Sequence, residues 1–247
     1  MADFSNIPVT VVGASRGLGR TIAETFYRLG AQVVVTARGQ AGLDALARER
    51  PGVKVLAGDA ALPDAPSQVF AVQVPRLLIL CGGAIPPCRP LPDMDWKAFS
   101  ANWNSDVQMS FHFLQAALVR PLPGGTTIVT IGSGAMVGGS PVSGGYAGSK
   151  RMQVFMSGYA QKESDRAGLG LRFLSLSPAR IMPEADIGKA GIAGYAAYNG
   201  ITETAFIEGL GTPLSLKAVA DALVGLVDSA EPGGNFLVSQ DGVSALS

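Results

Sequence analysis

The sequence predicts one α/β domain built on a doubly wound parallel sheet of about seven strands, with helices on both faces. Three observations carry this. Short β-branched apolar runs alternate with longer amphipathic segments. The runs are continuously apolar rather than alternating, as in strands buried on both faces. The chain has 247 residues, 47% hydrophobic and 15% charged, which suits one sizeable core.

The first run is Pro8 to Val12, followed by a glycine turn and a helix from about Arg16 to Leu29, which Gly30 ends at a C′ position. Val33 to Thr36 is the second strand, and Val53 to Ala57, after the Pro51-Gly52 turn, is the third. Leu77 to Leu80, Thr127 to Ile131, Leu171 to Leu176 and Phe236 to Val238 are the remaining four. One long helix is expected over Trp96 to Val119, another over Tyr146 to Ser164, and a third over Leu216 to Asp228, capped by Ser215. Pro183 to Gly211 holds two weak helical stretches and no strand, and reads as an insertion of the kind that forms lids over sites.

Composition excludes several functions. Lys plus Arg equals Asp plus Glu at 19 each, with no basic run, so nucleic acid is not an expected partner. No apolar run approaches the ~20 residues of a membrane helix, and Met1 to Thr10 lacks the pattern of a secretory signal. Cys81 and Cys88 fit no zinc or disulfide framework, and the single histidine, His112, has no metal-ligating company, so no metal and a reduced, cytoplasmic setting are expected.

Val12-Gly13-Ala14-Ser15-Arg16-Gly17-Leu18-Gly19 lies between the first strand and the first helix. Glycines there allow a tight turn and let backbone N–H groups reach a pyrophosphate, while the helix N-terminus adds partial positive charge. The second strand ends Thr36-Ala37-Arg38, with no carboxylate to bind a ribose 2′-hydroxyl or repel a 2′-phosphate. Arg38, with Arg16 opposite, can bind that phosphate, which favours NADP(H) over NAD(H).

Tyr146 and Lys150 are four residues apart on one helical face. A free tyrosine, with a pKa of about 10, is a poor acid–base catalyst at neutral pH, and a neighbouring ammonium lowers that value. Ser133, thirteen residues earlier, sits just past the fifth strand, at the strand end where α/β folds bind ligands. The Tyr/Lys pair alone is a common motif; its order after a phosphate-binding turn and a strand-end serine is not.

With these residues the sequence resembles the classical short-chain dehydrogenase/reductase family, from Pro8 to about Gly242. Gly13, Gly17 and Gly19 match its glycine motif, and Ser133, Tyr146 and Lys150 match its catalytic residues. The resemblance implies a single Rossmann-type domain over residues 1–247, hydride transfer from nicotinamide C4, and a homodimer or homotetramer. Asp59, with Ala60 beside it, resembles the family's adenine-binding position. Three departures stand out. Val12 replaces a threonine, Cys81-Gly82-Gly83-Ala84 replaces Asn-Asn-Ala-Gly and loses the bracing asparagines, and Pro178-Ala179 replaces Pro-Gly. Nicotinamide contacts then fall to backbone around Ile181. The family also implies an asparagine in the long helix that helps relay protons to the lysine; Asn102 fits its pattern better than Asn104.

Two functional readings follow. One is an oxidoreductase acting on a carbonyl or secondary alcohol of a small, fairly apolar substrate, with Tyr146 as general acid/base. The other is a cofactor-binding sensor that retains the fold. A sugar-nucleotide epimerase would need a larger substrate domain than residues 183–211 provide.

Overall fold

The chain is described here by a computed structural model covering residues 3–246. β1 (Pro8–Val12) leads to α1 (Gly17–Arg28), β2 (Gln32–Ala37) to α2 (Gln40–Glu49) and β3 (Lys54–Ala57) to α3 (Ala65–Val72). After β4 (Leu77–Leu80) come α4 (Trp96–Ser100), a π-helical turn (Trp103–Val107) and α5 (Gln108–Val119). β5 (Thr127–Ile131) is followed by a short α6 (Ala135–Gly138) and by α7 (Gly145–Ala167). Then come β6 (Arg172–Pro178), α8 (Asp186–Asn199), α9 (Glu203–Gly209), α10 (Leu216–Asp228), β7 (Gly234–Ser239) and β8 (Gly242–Ala245).

The strands form one sheet in the order β3-β2-β1-β4-β5-β6-β7-β8, parallel except for the last pair. Successive side chains on a strand point to opposite faces. Leu77 and Ile79 therefore join α1 and α10 in one core, where Ile22, Phe26 and Leu223 are fully buried. Leu78 and Leu80 join α3, α5 and α7 in the other, around Phe113. This double burial is why the runs read as continuously apolar.

Two expectations are corrected. The described residues form eight strands where about seven were expected, because β8 turns back antiparallel onto β7. All four of its residues are exposed, so it left no apolar run to detect. The helix expected over Trp96 to Val119 is broken. The Asn102 carbonyl accepts from both Asp106 N (2.8 Å) and Val107 N (3.3 Å), which inserts an extra residue into the turn. Packing against α7 accompanies the break: a Cβ on Gly145 would lie 2.0 Å from the Phe99 carbonyl oxygen. The Ser215 cap is present, its hydroxyl accepting from Ala218 N at 3.1 Å.

At the carboxyl ends of the central strands the backbones close on one another. Gly13 has φ +88°, and a Cβ there would lie 2.4 Å from Gly82 Cα. Gly19 is equally confined, with the Gly13 carbonyl oxygen 2.2 Å from where its Cβ would be. Gly13→Ala is therefore expected to lower stability by about 2 kcal/mol or more, from left-handed backbone strain plus overpacking. Urea unfolding of the variant against the parent protein measures it.

Candidate active site

The strand ends, the loops after them and α8 enclose a cavity of about 620 Å³. Along one side lies the glycine turn. Arg16, at the N-cap of α1, makes no side-chain cap hydrogen bond, and the first helical turn holds no acid. The leading N–H groups are thus left for an anion. Gly13, Ser15, Gly17, Leu18 and Gly19 all line the cavity. Gly17 has φ +55° and nothing within 4 Å of its Cβ direction, so the turn is open above it.

Farther along, Arg38, Asp59 and Ala60 line the same cavity. Arg38 is exposed, and no carboxylate pairs with it among the described residues. One Asp59 oxygen accepts from Ala61 N at 3.0 Å, fixing the loop. Arg16 also faces the cavity but is engaged elsewhere, 3.0 Å from Asp186 at the start of α8. Both partners are substantially exposed, so the pair is weak.

Cys81, Gly82 and Gly83 form the floor beneath the opposite end, with Ile181 across from them. Here the lost asparagine bracing is supplied from the broken helix. Ala84 N donates to Asp106 Oδ1 at 2.8 Å, and Asn102 Nδ2 donates to Ala84 O at 2.8 Å. One peptide is clamped on both its polar groups. Met109 fills the space over Gly82, its sulfur 2.8 Å from where a Cβ would stand.

Ser133, Tyr146 and Lys150 meet at this end. Ser133 follows β5, and its hydroxyl accepts from Ala135 N at 3.3 Å. Tyr146 and Lys150 lie on the first two turns of α7, with the ammonium 5.7 Å from the tyrosine ring centre. Asn102 is fully buried but not among the residues lining the cavity; its amide serves the Ala84 clamp. The residue facing Lys150 is one the sequence reading missed. Asp106, fully buried, places Oδ2 3.2 Å from Lys150 Nζ.

These contacts reverse one expectation. Burial pushes the Tyr146 phenol above its ordinary value; Lys150 and Ser133 pull it down, while Asp106 and Cys88 add to the rise. Burial works against the charge on Lys150 as well, but Asp106 and Tyr146 outweigh it and hold the ammonium above its usual value. Burial also pushes the Cys81 thiol up to about 12, with Lys150 opposing.

A family model described as short chain dehydrogenase matches residues 8–186. L-xylulose reductase of Bos taurus is 33% identical over 129 residues, 51% of this chain and 52% of that protein. Carbonyl reductase [NADPH] 2 of Sus scrofa is 26% identical over 135 residues, 53% of this chain and 54% of that one. The matched stretch thus spans about half the length of these curated relatives. Among solved structures, a short-chain dehydrogenase/reductase (glucose/ribitol dehydrogenase) from Brucella melitensis superposes with a TM-score of 0.77 at 22% identity, covering 94% of this chain and 96% of that one. It shares the fold. No helix among the described residues is long and apolar enough to cross a membrane.

The thiolate is the reactive form of cysteine, and at about pH 8 a thiol with its pKa near 12 is ionised in only about one molecule in ten thousand. Cys81 is expected to stay unlabelled by an aromatic disulfide reagent in the native protein, and to react at once in denaturant. Mass spectrometry of the labelled peptides checks this.

Proposed function

The chain belongs to the short-chain dehydrogenase family, and from that premise we propose that it is an NADP(H)-dependent carbonyl reductase in which Tyr146 donates the proton. The observation that carries the reading is the placement of Tyr146 with Ser133 and Lys150 in the cavity that begins at the glycine turn.

The cradle suits the cofactor. The backbone of Gly13, Ser15, Gly17, Leu18 and Gly19 would hold the pyrophosphate at the α1 N-terminus. Asp59 and Ala60 would take the adenine end, and Arg38 the 2′-phosphate, with Arg16 joining once it leaves Asp186. Cys81, Gly82, Gly83 and Ile181 would bound the nicotinamide end, with Lys150 on its ribose. Bound there, the nicotinamide supplies hydride. The chain supplies the rest: Ser133 donates a hydrogen bond to the substrate carbonyl oxygen and orients it, and Tyr146 gives that oxygen its proton. Lys150 holds positive charge beside the phenol as the proton leaves.

Residues 183–211 would act as a lid, since Asp186, Ile187, Gly191 and Tyr195 of α8 close one wall of the cavity. Ile85, Pro86, Val142, Met182 and Ile187 make that end mostly apolar, which suits a small, fairly apolar carbonyl compound. The free thiols Cys81 and Cys88 suit the reducing cytoplasm. The outer face of α7 exposes Phe155 and Tyr159, stacked 6.4 Å apart, as a seat for a second copy in a homodimer or homotetramer.

Tyr146→Phe is expected to cut turnover of carbonyl substrates by about 10²- to 10⁴-fold, the usual worth of a general acid, with NADPH binding retained. Turnover near that of the parent protein would sink the mechanism. Arg38→Ala is expected to weaken NADPH binding by about tenfold or more while leaving NADH binding unchanged, read by fluorescence titration.

A further inference from the structure

We propose that Asp106 is a positioning residue that keeps Lys150 and Tyr146 both protonated at neutral pH, by supplying the negative charge that balances the buried site. The inference rests on the reading of Tyr146 as proton donor and says how the chain keeps it charged with a proton.

The carboxylate is built into its place from three directions. Oδ1 accepts from Ala84 N at 2.8 Å, with Asn102 Nδ2 3.4 Å away. Oδ2 faces Lys150 Nζ at 3.2 Å. The Asp106 carbonyl accepts from Gln153 Nε2 at 3.0 Å, which ties the π-helical turn to α7. Space is made for it by Gly83, where a Cβ would stand 2.7 Å from Oδ2. Asp106 shows no exposed surface and Lys150 only 5%, so the pair is shielded from the solvent that would otherwise screen it.

The ionisable groups around the phenol are few. Lys150 shares α7 with it, Asp106 comes from the π-helical turn, and the Cys81 and Cys88 thiols come from the segment after β4. Burial holds both thiols above their ordinary values, so neither carries charge at neutral pH. What remains is one carboxylate, one ammonium and one phenol, with a net charge of zero. Loss of a proton from that cluster would leave an unbalanced negative charge beside the buried Asp106 carboxylate, which is costly. With a neutral amide in place of the carboxylate the same cluster would carry a net positive charge. It would then release a proton readily, from the phenol or from the ammonium, since the two titrate as a pair.

The test is Asp106→Asn, which keeps an oxygen for Ala84 N, removes the charge and turns the acceptor facing Lys150 into an amide N–H. The proton is followed from both ends without any turnover: phenolate ultraviolet absorbance, with the Tyr146→Phe signal subtracted, and the Cε resonance of isotope-labelled Lys150, assigned by its loss in Lys150→Met. In Asp106→Asn one of these signals is expected to titrate about one to two pH units below its midpoint in the parent protein. The high-pH limb of kcat/KM for NADPH-driven reduction of an aromatic 1,2-dione is expected to move down by the same amount. Unchanged midpoints for both signals in a folded variant would overturn the proposal. Should Asp106→Asn fail to fold, the double variant Asp106→Asn/Lys150→Met decides: recovered folding shows that the unbalanced ammonium was the fault, and equal failure overturns the proposal. Absence of turnover with every carbonyl tried would count against the reductase reading alone, because the two spectroscopic titrations need no substrate.

Discussion

Everything at the carboxyl ends of the central strands depends on how closely the backbones of β1 and β4 run on past the sheet. Gly13 and Gly82 meet where no side chain fits, and Gly19 folds back on Gly13 with equal tightness. Gly13, Gly19 and Gly82 all line the cavity. Their contact also fixes where the next residues fall. Gly83 passes under the Asp106 carboxylate, and Ala84 is gripped by Asp106 and Asn102. Asp106 in turn faces Lys150, beside Tyr146. The glycine turn and the Ser133, Tyr146 and Lys150 end of the cavity are therefore joined by a short run of closely packed backbone.

Much of the fold was legible because a parallel sheet covered on both faces demands unbroken apolar runs. β1, β4 and β5 were readable to the residue, and α10 was readable from its hydroxyl cap. β8 was not, since an exposed edge strand has no reason to be apolar. The π-helical turn was hidden for a different reason. Nothing in Asn102 to Val107 forbids a regular helix; the extra residue goes with the close approach of α7, where Gly145 reaches the Phe99 carbonyl. Tertiary packing overrode a local preference that favoured one continuous helix.

The site was legible to the same degree and failed at the same point. The glycine turn, Arg38, Ser133, Tyr146 and Lys150 follow strands whose ends were already known, and all line one cavity. The fourth polar residue lies on the broken helix. A search for an amide led to Asn102, which faces Ala84 instead of the cavity. The signal for Asp106 was present but of another kind. It is an acid standing just before Met109 and Phe113, on the face that packs into the core. A carboxylate in such a place must find a cation or a set of donors, or it would not remain buried. Lys150 was the cation already singled out, and pairing the two by charge alone would have located the residue. Arg16 shows the converse. Its position opposite Arg38 suits a second charge for a phosphate, and it rests on Asp186, an exposed partner it can exchange at little cost.

The sign of the Tyr146 shift has a consequence for direction. One ammonium beside a phenol favours the phenolate, which would suit a base that takes a proton from an alcohol. In this chain burial has the largest influence on the phenol and favours its neutral form; Lys150 pulls the other way, and the Asp106 carboxylate beside it opposes that pull in part. A neutral phenol is the form that gives a proton away, as the reduction of a carbonyl requires. The balance rests on Asp106 carrying a full negative charge where an asparagine would carry none. An amide there could make the same contact to Ala84 and leave the ammonium unopposed. Under the proposed mechanism, that difference in charge bears on whether the tyrosine waits as an acid or as a base.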